Sequence, residues 1–153
     1  MISAVLKPKV SAGAEEGCAM SGTGVRLVRD VGLTDAVEYA YAAVADTPLR
    51  AVWVAGACPL DQDGATVAAG DYAGQARQVM RNLEAALAGA GAALTDVVKT
   101  TVYVASSRQA DLVEAWQVYR DHMGSHDVPS TLLGVTVLGY DGQLVEVEAT
   151  AVL

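Results

Sequence analysis

A chain of 153 residues suits one domain and can bury roughly two-thirds of its extended surface, so a core needs neither metal nor disulfide to hold it. Its hydrophobic fraction of 52% and charged fraction of 18% describe a globular protein. The net charge of -8 opposes a nucleic-acid partner, and no apolar run reaches the roughly 18 residues of a membrane span. Cys18 and Cys58 set no disulfide framework and read as reduced thiols. No apolar stretch of signal-peptide type follows Lys7 and Lys9, so a cytoplasmic protein is expected.

Residues 1–24, rich in Gly, Ala and Ser, have no period and are read as a flexible or loosely docked arm before a domain spanning 25–153. Strands are expected at Val25–Val28, Val37–Val44 and Arg50–Ala55. The turn chemistry of Asp46-Thr47-Pro48 predicts that the last two pair as an antiparallel hairpin. A further short strand is open at Ala65–Ala68. Ala76, Met80, Leu83, Leu87 and Ala90 recur at helical spacing and predict a helix over Asp71–Ala90, stopped by Gly91; Gln75 falls off that stripe. The β-branched run Val97–Val104 predicts a central strand. A second helix is expected near Ser106, whose spacing to Gln109 matches a capping box, with a stripe of Leu112, Trp116, Tyr119 and Met123 and a stop at Gly124. Two strands follow, Thr131–Leu138 and Gln143–Val152, with Tyr140-Asp141-Gly142 as a hairpin turn. In the last strand Val145, Val147, Ala149 and Ala151 alternate with Glu146, Glu148 and Thr150. Two amphipathic helices cover only one face of such a sheet, so the other face is left for solvent or another subunit.

Four blocks then resemble one family. Val54-Ala55-Gly56-Ala57-Cys58-Pro59-Leu60 is similar to the Rid (YjgF) motif V-S-G-Q-x-P-L, and Gln75 to Leu83 to its helix signature Q-x-R-Q-x-x-x-N-L. Asp96 to Val104 is similar to its D-V-V-K-x-T-V-Y-L strand, and Leu144 to Ala149 to its V-E-I-E-A ending. The resemblance covers roughly Val37 to Leu153. It implies an α/β (α+β) chorismate-mutase-like fold, a mixed but mainly antiparallel sheet with two helices on one face, in a barrel-centred homotrimer with clefts between subunits. It further implies hydrolysis of imines or enamines such as 2-aminoacrylate, without metal or organic cofactor.

Carried over residue by residue, the resemblance gives Glu146 as the water-handling catalytic group. Tyr39, Ala55, Gly56, Pro129, Ser130 and Thr131 fall at substrate-binding positions. The family's carboxylate-clamping arginine is absent: Pro129 stands in its place. Ala55 and Ala57 replace the motif's serine and glutamine. Neither Arg50 nor Arg108 is placed by the sequence as a substitute. The competing reading of Glu146 is a carboxylate paired at a subunit interface. His122 and His126 have metal-ligand spacing, but Gly124 interrupts them and no third ligand is evident. Cys58 reads as a packed small hydrophobe rather than a nucleophile. The expectation is a hydrolase or deaminase of an imine, enamine or related C–N substrate, and not of 2-aminoacrylate. The alternatives are a specialised biosynthetic enzyme on the same scaffold, or a trimer that binds a metabolite without turnover. Ribonuclease activity is the weakest reading, given the charge.

Overall fold

The computed structural model describes residues 25–28, 40, 42–45 and 49–153. The expected arm 1–24, the start of the second expected strand and Tyr39 lie outside the described residues. The element order is β1 (Val25–Val28), β2 (Ala42–Ala45), β3 (Ala51–Ala57), α1 (Tyr72–Gly89), β4 (Val97–Ala105), α2 (Gln109–Met123), β5 (Ser130–Val135) and β6 (Val145–Val152). The main sheet has the strand order β3-β6-β4-β5. Its β3–β6 and β6–β4 pairs are antiparallel and its β4–β5 pair is parallel, so the sheet is mixed and mainly antiparallel.

Both expected hairpins are replaced by longer-range pairings. β2 pairs with β1, Val25 opposite Ala45, and β3 pairs instead with β6. β5 does not pair with β6 because β4 lies between them. The Asp141-Gly142 turn is real, with Gly142 at φ +68, but it feeds a crossover rather than a ribbon. The expected strand at 65–68 is reduced to one bridge between Leu60 and Thr66.

Helix α1 begins at Asp71, whose carboxylate accepts the Gly74 N–H at 2.8 Å. It ends before Gly91, at φ +75, where the Ala92 N–H returns to the Leu87 carbonyl at 2.9 Å. Its buried face is Gln75, Ala76, Val79, Met80, Leu83 and Leu87, and Ala90 is exposed. Full burial of Met80, Leu83 and Leu87 contributes roughly 1.5–3 kcal/mol each. Helix α2 starts without a capping box. Ser106 Oγ instead accepts the Arg108 N–H at 2.9 Å and donates to Asp111 Oδ2 at 2.6 Å.

Both helices pack on one face of the sheet, against Val145, Val147, Ala149 and Ala151 of β6 and Thr100, Val102 and Val104 of β4. Val97 breaks the β4 alternation yet is buried, because a register shift between Val97 and Lys99 turns it inward. Ser130, Thr100 and Tyr119 join hydroxyls at 2.7–2.8 Å between α2 and the sheet. The opposite face carries Trp53, Lys99, Thr101, Tyr103, Leu133, Glu146 and Glu148. Trp53 is 78% exposed there.

Candidate active site

Strand β6 projects Glu146 onto the open face because its neighbours Val145 and Val147 are committed to the core. Opposite it, β3 is irregular between Val54, which pairs with Ala149, and Ala57, which pairs with Val147. Three steps on β3 match two on β6, and the extra residue bends the strand at Ala55-Gly56. Ala55 is exposed there. Ala57 turns inward and belongs to the core, so its lost glutamine does not alter the rim.

The bend brings Gly56 under the Glu146 side chain, with room only for hydrogen at that Cα. Glu146 Oε2 accepts the Gln143 Nε2 amide at 2.9 Å and the Cys58 thiol at 3.5 Å. Among the described residues Oε1 accepts no hydrogen bond. Burial, then the charge of Glu146, push the Cys58 thiol up to about 11, so it stays protonated and donates rather than attacks. Its second contact is the Gly56 carbonyl, at 3.4 Å.

The loops around this carboxylate are held by the polar residues of α1. Asn82 Nδ2 donates to the carbonyls of Cys58 at 2.8 Å and Leu60 at 2.9 Å, and Gln78 Nε2 donates to Asn82 Oδ1 at 2.9 Å. Gln75, fully buried, donates to the Gly142 carbonyl at 2.8 Å and accepts the Leu144 N–H at 2.7 Å. The glutamine–asparagine helix block therefore clamps the two loops that carry Cys58 and Gln143. The sequence reading missed Gln143 and gave Gln75 no role. A signal for Gln75 existed, since it stands four and eight residues before the buried Val79 and Leu83.

The 129–131 block lies elsewhere in the same chain. Pro129 gives its carbonyl to the Thr100 N–H at 3.2 Å. The Ser130 hydroxyl faces α2, bonded to Tyr119 and Thr100, and is not on the open face. Thr131 is on that face, where its Oγ1 accepts the Lys99 Nζ at 2.8 Å. Thr131 pairs with Thr101, whereas Glu146 pairs with Tyr103 from the other side of β4. Two strand spacings, roughly 10 Å, separate β5 from β6. One chain thus brings Glu146 together with Gly56, beside Ala55, and keeps the 129–131 block apart from them.

Glu148 shares the open face but turns to Tyr103, whose hydroxyl donates to it at 2.8 Å. Neither arginine approaches Glu146: Arg50 lies at the Ala90 carbonyl, and Arg108 pairs with Asp111. His122 and His126 are on different business, bound to the carbonyls of Val118 and Val97 at 2.9 and 2.8 Å. Among the described residues no three His, Cys, Asp or Glu side chains cluster as a metal site, and no helix is long and apolar enough to cross a membrane.

Comparison with known proteins shows the family. Residues 33–153 match the family described as Endoribonuclease L-PSP. A RutC family protein of Pyrococcus horikoshii is 34% identical over 100 residues, 65% of this chain and 77% of the relative. The human 2-iminobutanoate/2-iminopropanoate deaminase is 28% identical over 103 residues, 67% of this chain and 73% of that protein. The structure of the Rid-family protein YyfB from Yersinia pestis superposes with a TM-score of 0.76 at 28% identity, covering 85% of this chain and 99% of its own. A YjgF-family structure from Mycobacterium tuberculosis gives 0.57 at 34% identity, covering 84% and 99%. With residues 33–153 matched by the family model and the fold shared with Rid-family structures, the chain belongs to the Rid (YjgF) superfamily.

Proposed function

We propose that this protein hydrolyses an imine or enamine whose recognition does not depend on a carboxylate clamp, with Glu146 as the proton-handling group. The observation that carries the reading is Glu146 itself: a half-buried carboxylate with one oxygen held by Gln143 and Cys58 and the other, beside Gly56, accepting no hydrogen bond among the described residues. Imine hydrolysis asks little more of a protein. The protonated C=N carbon is already electrophilic. Glu146 Oε1 takes a proton from water as the water oxygen bonds to that carbon and the C=N π pair moves to nitrogen. The proton then passes to the nitrogen. Glu146 next takes the hydroxyl proton as an oxygen pair forms the C=O bond and the C–N bond breaks, so a ketone or aldehyde leaves with ammonia, which carries the last proton away as ammonium. The human relative's name places 2-imino acids among that protein's substrates. Here Pro129 offers no cation, and a free substrate carboxylate beside Glu146 would be repelled, which favours a substrate without an α-carboxylate.

We further infer that the working form is a cytoplasmic homotrimer whose neighbours cover the open face. Trp53, Leu133 and Tyr103 supply apolar area for such an interface. In that assembly the Thr131 end of one subunit completes the cleft at Glu146 of the next. The site asks for no metal or organic cofactor. Tyr39 is assigned to the same cleft by position alone. The exposed Ala55 and the Pro129 rim also suit a larger apolar substrate, so a specialised biosynthetic step on the same scaffold is the second reading.

The test is imine hydrolysis in competition with semicarbazide. Amino acid oxidases and amine oxidases generate the imines in situ, and the wild type runs beside Glu146→Ala. Suppressed semicarbazone formation by the wild type alone supports the reading, and the active imines define the pocket. A Glu146→Gln variant with undiminished activity removes the glutamate from its role.

A further inference from the structure

The reading of Glu146 as the proton-handling group rests on which oxygen faces substrate, and the structure supplies a device that decides it. We propose that Gln143 is a positioning residue for this reaction: its amide anchors Oε2 of Glu146, so that Oε1 alone is presented to the attacking water, with Cys58 as a weaker second donor. The proposal rests on the function proposed above.

Gln143 is only 4% exposed and every part of its amide is engaged. Its Oε1 accepts the Tyr140 N–H at 3.0 Å, and its Nε2 donates to Glu146 Oε2 at 2.9 Å and to the Val145 carbonyl at 3.3 Å. Since Oε1 is taken by a backbone N–H, the amide cannot flip without facing two acceptors with a third. The donor end is therefore fixed toward Glu146. The turn that carries Gln143 is fixed in its turn, by the Gln143 N–H on the Tyr140 carbonyl at 3.1 Å and by Gln75 of α1 on both Gly142 and Leu144. Both donors to Glu146 choose the same oxygen, and the other oxygen lies over Gly56, the one residue type that leaves it room. A carboxylate held at one oxygen keeps a defined syn or anti lone pair for proton transfer, where a free one would rotate.

Two variants separate position from folding. Gln143→Leu removes the donor and leaves the Tyr140 N–H without an acceptor. Gln143→Glu keeps an acceptor for Tyr140, so the turn survives, but can no longer donate to an ionised Glu146. In the semicarbazide assay both are expected to lower kcat at least tenfold, a fraction of the roughly 10²–10⁴-fold that positioned proton transfer contributes, with KM changed less than about twofold. A crystal structure of Gln143→Leu reads the anchoring without turnover: the Glu146 carboxylate is expected to leave its place over Gly56. A carboxylate unmoved in that structure, or a KM effect with kcat intact in both variants, overturns the proposal. Undiminished activity in Glu146→Gln would instead overturn the catalytic reading, while the structure still decides whether Gln143 anchors the carboxylate.

Discussion

Gly56 and Glu146 share one space: a β-carbon on residue 56 would stand 2.0 Å from Glu146 Oε1 and 2.6 Å from its Cδ. The clash falls on the end of a flexible side chain, so the backbone need not move. Gly56→Ala is therefore expected to swing the carboxylate away while the fold persists. Imine hydrolysis should drop by about tenfold or more, with the melting temperature within about 4 °C of wild type. A large loss of melting temperature would show instead that the β3 bend itself needs glycine.

Cys58 should be slow to alkylate. With its thiol pushed up to about 11, only about one molecule in a thousand is thiolate at pH 8. Burial is the larger cause and persists in any side-chain variant nearby. The charge of Glu146 is the second and is removable. In a Cys18→Ser background, Glu146→Gln should speed iodoacetamide labelling of Cys58 several-fold at pH 8, and an unchanged rate would show that the carboxylate does not govern the thiol.

Gln75 is a fully buried polar residue that ties α1 to the Gln143 turn. Gln75→Leu keeps the volume but strands the Leu144 N–H and the Gly142 carbonyl, both bonded to it. Gly142 is exposed and its carbonyl can take water instead, so the stranded Leu144 N–H carries most of the cost and a loss of about 1–3 kcal/mol is expected in urea denaturation. Activity should fall with it at temperatures well below the melt, because the Gln143 turn loses its tie to α1.

The start of α2 has a signature in acid. Asp111 is held below the ordinary carboxylate range, first by the Ser106 hydroxyl and then by the Arg108 guanidinium. A carboxyl depressed in the folded state takes its proton first in the unfolded chain, so its contribution is present above the unfolded value, near 4, and fades as pH falls through the folded one. The stability difference between wild type and Asp111→Asn should be constant from pH 5 to 8 and shrink below about pH 4. A difference that is flat to pH 2.5 would remove the assignment.

Local patterns in the chain told the truth about elements and misled about partners. The alternation of β6, the α1 stripe and the Gly91 and Gly124 stops are all legible, because each depends on residues within a turn or two. The two hairpins were not legible in the same way. Asp46-Thr47-Pro48 and Asp141-Gly142 describe a reversal, not which strands meet, and β6 inserts between β3 and β4 across more than ninety residues of sequence. The inward turn of Val97 was not legible either, because a register shift has no sequence period. In the site, Glu146 and Gly56 stood out through the family resemblance. Gln143 did not, since a glutamine beside a turn reads as solvent-facing until the fold buries it. The hydroxyl of Ser130 was assigned to the cleft by position, and only the pleat of β5 sends it to Tyr119 instead.

The central place of β6 also orders events in the life of the chain. β3 and β4 are joined in the sheet only through it, and Glu146, the proposed acid–base group, rides on the same strand. Until Val145–Val152 is clear of the ribosome, β3 and β4 each wait with an open strand edge. Arrival of Val145–Val152 closes the sheet and delivers Glu146 in one step. A shortened translation product ending before that point would be an unzipped sheet rather than a slower enzyme, and quality-control machinery, not the substrate, would be what met it.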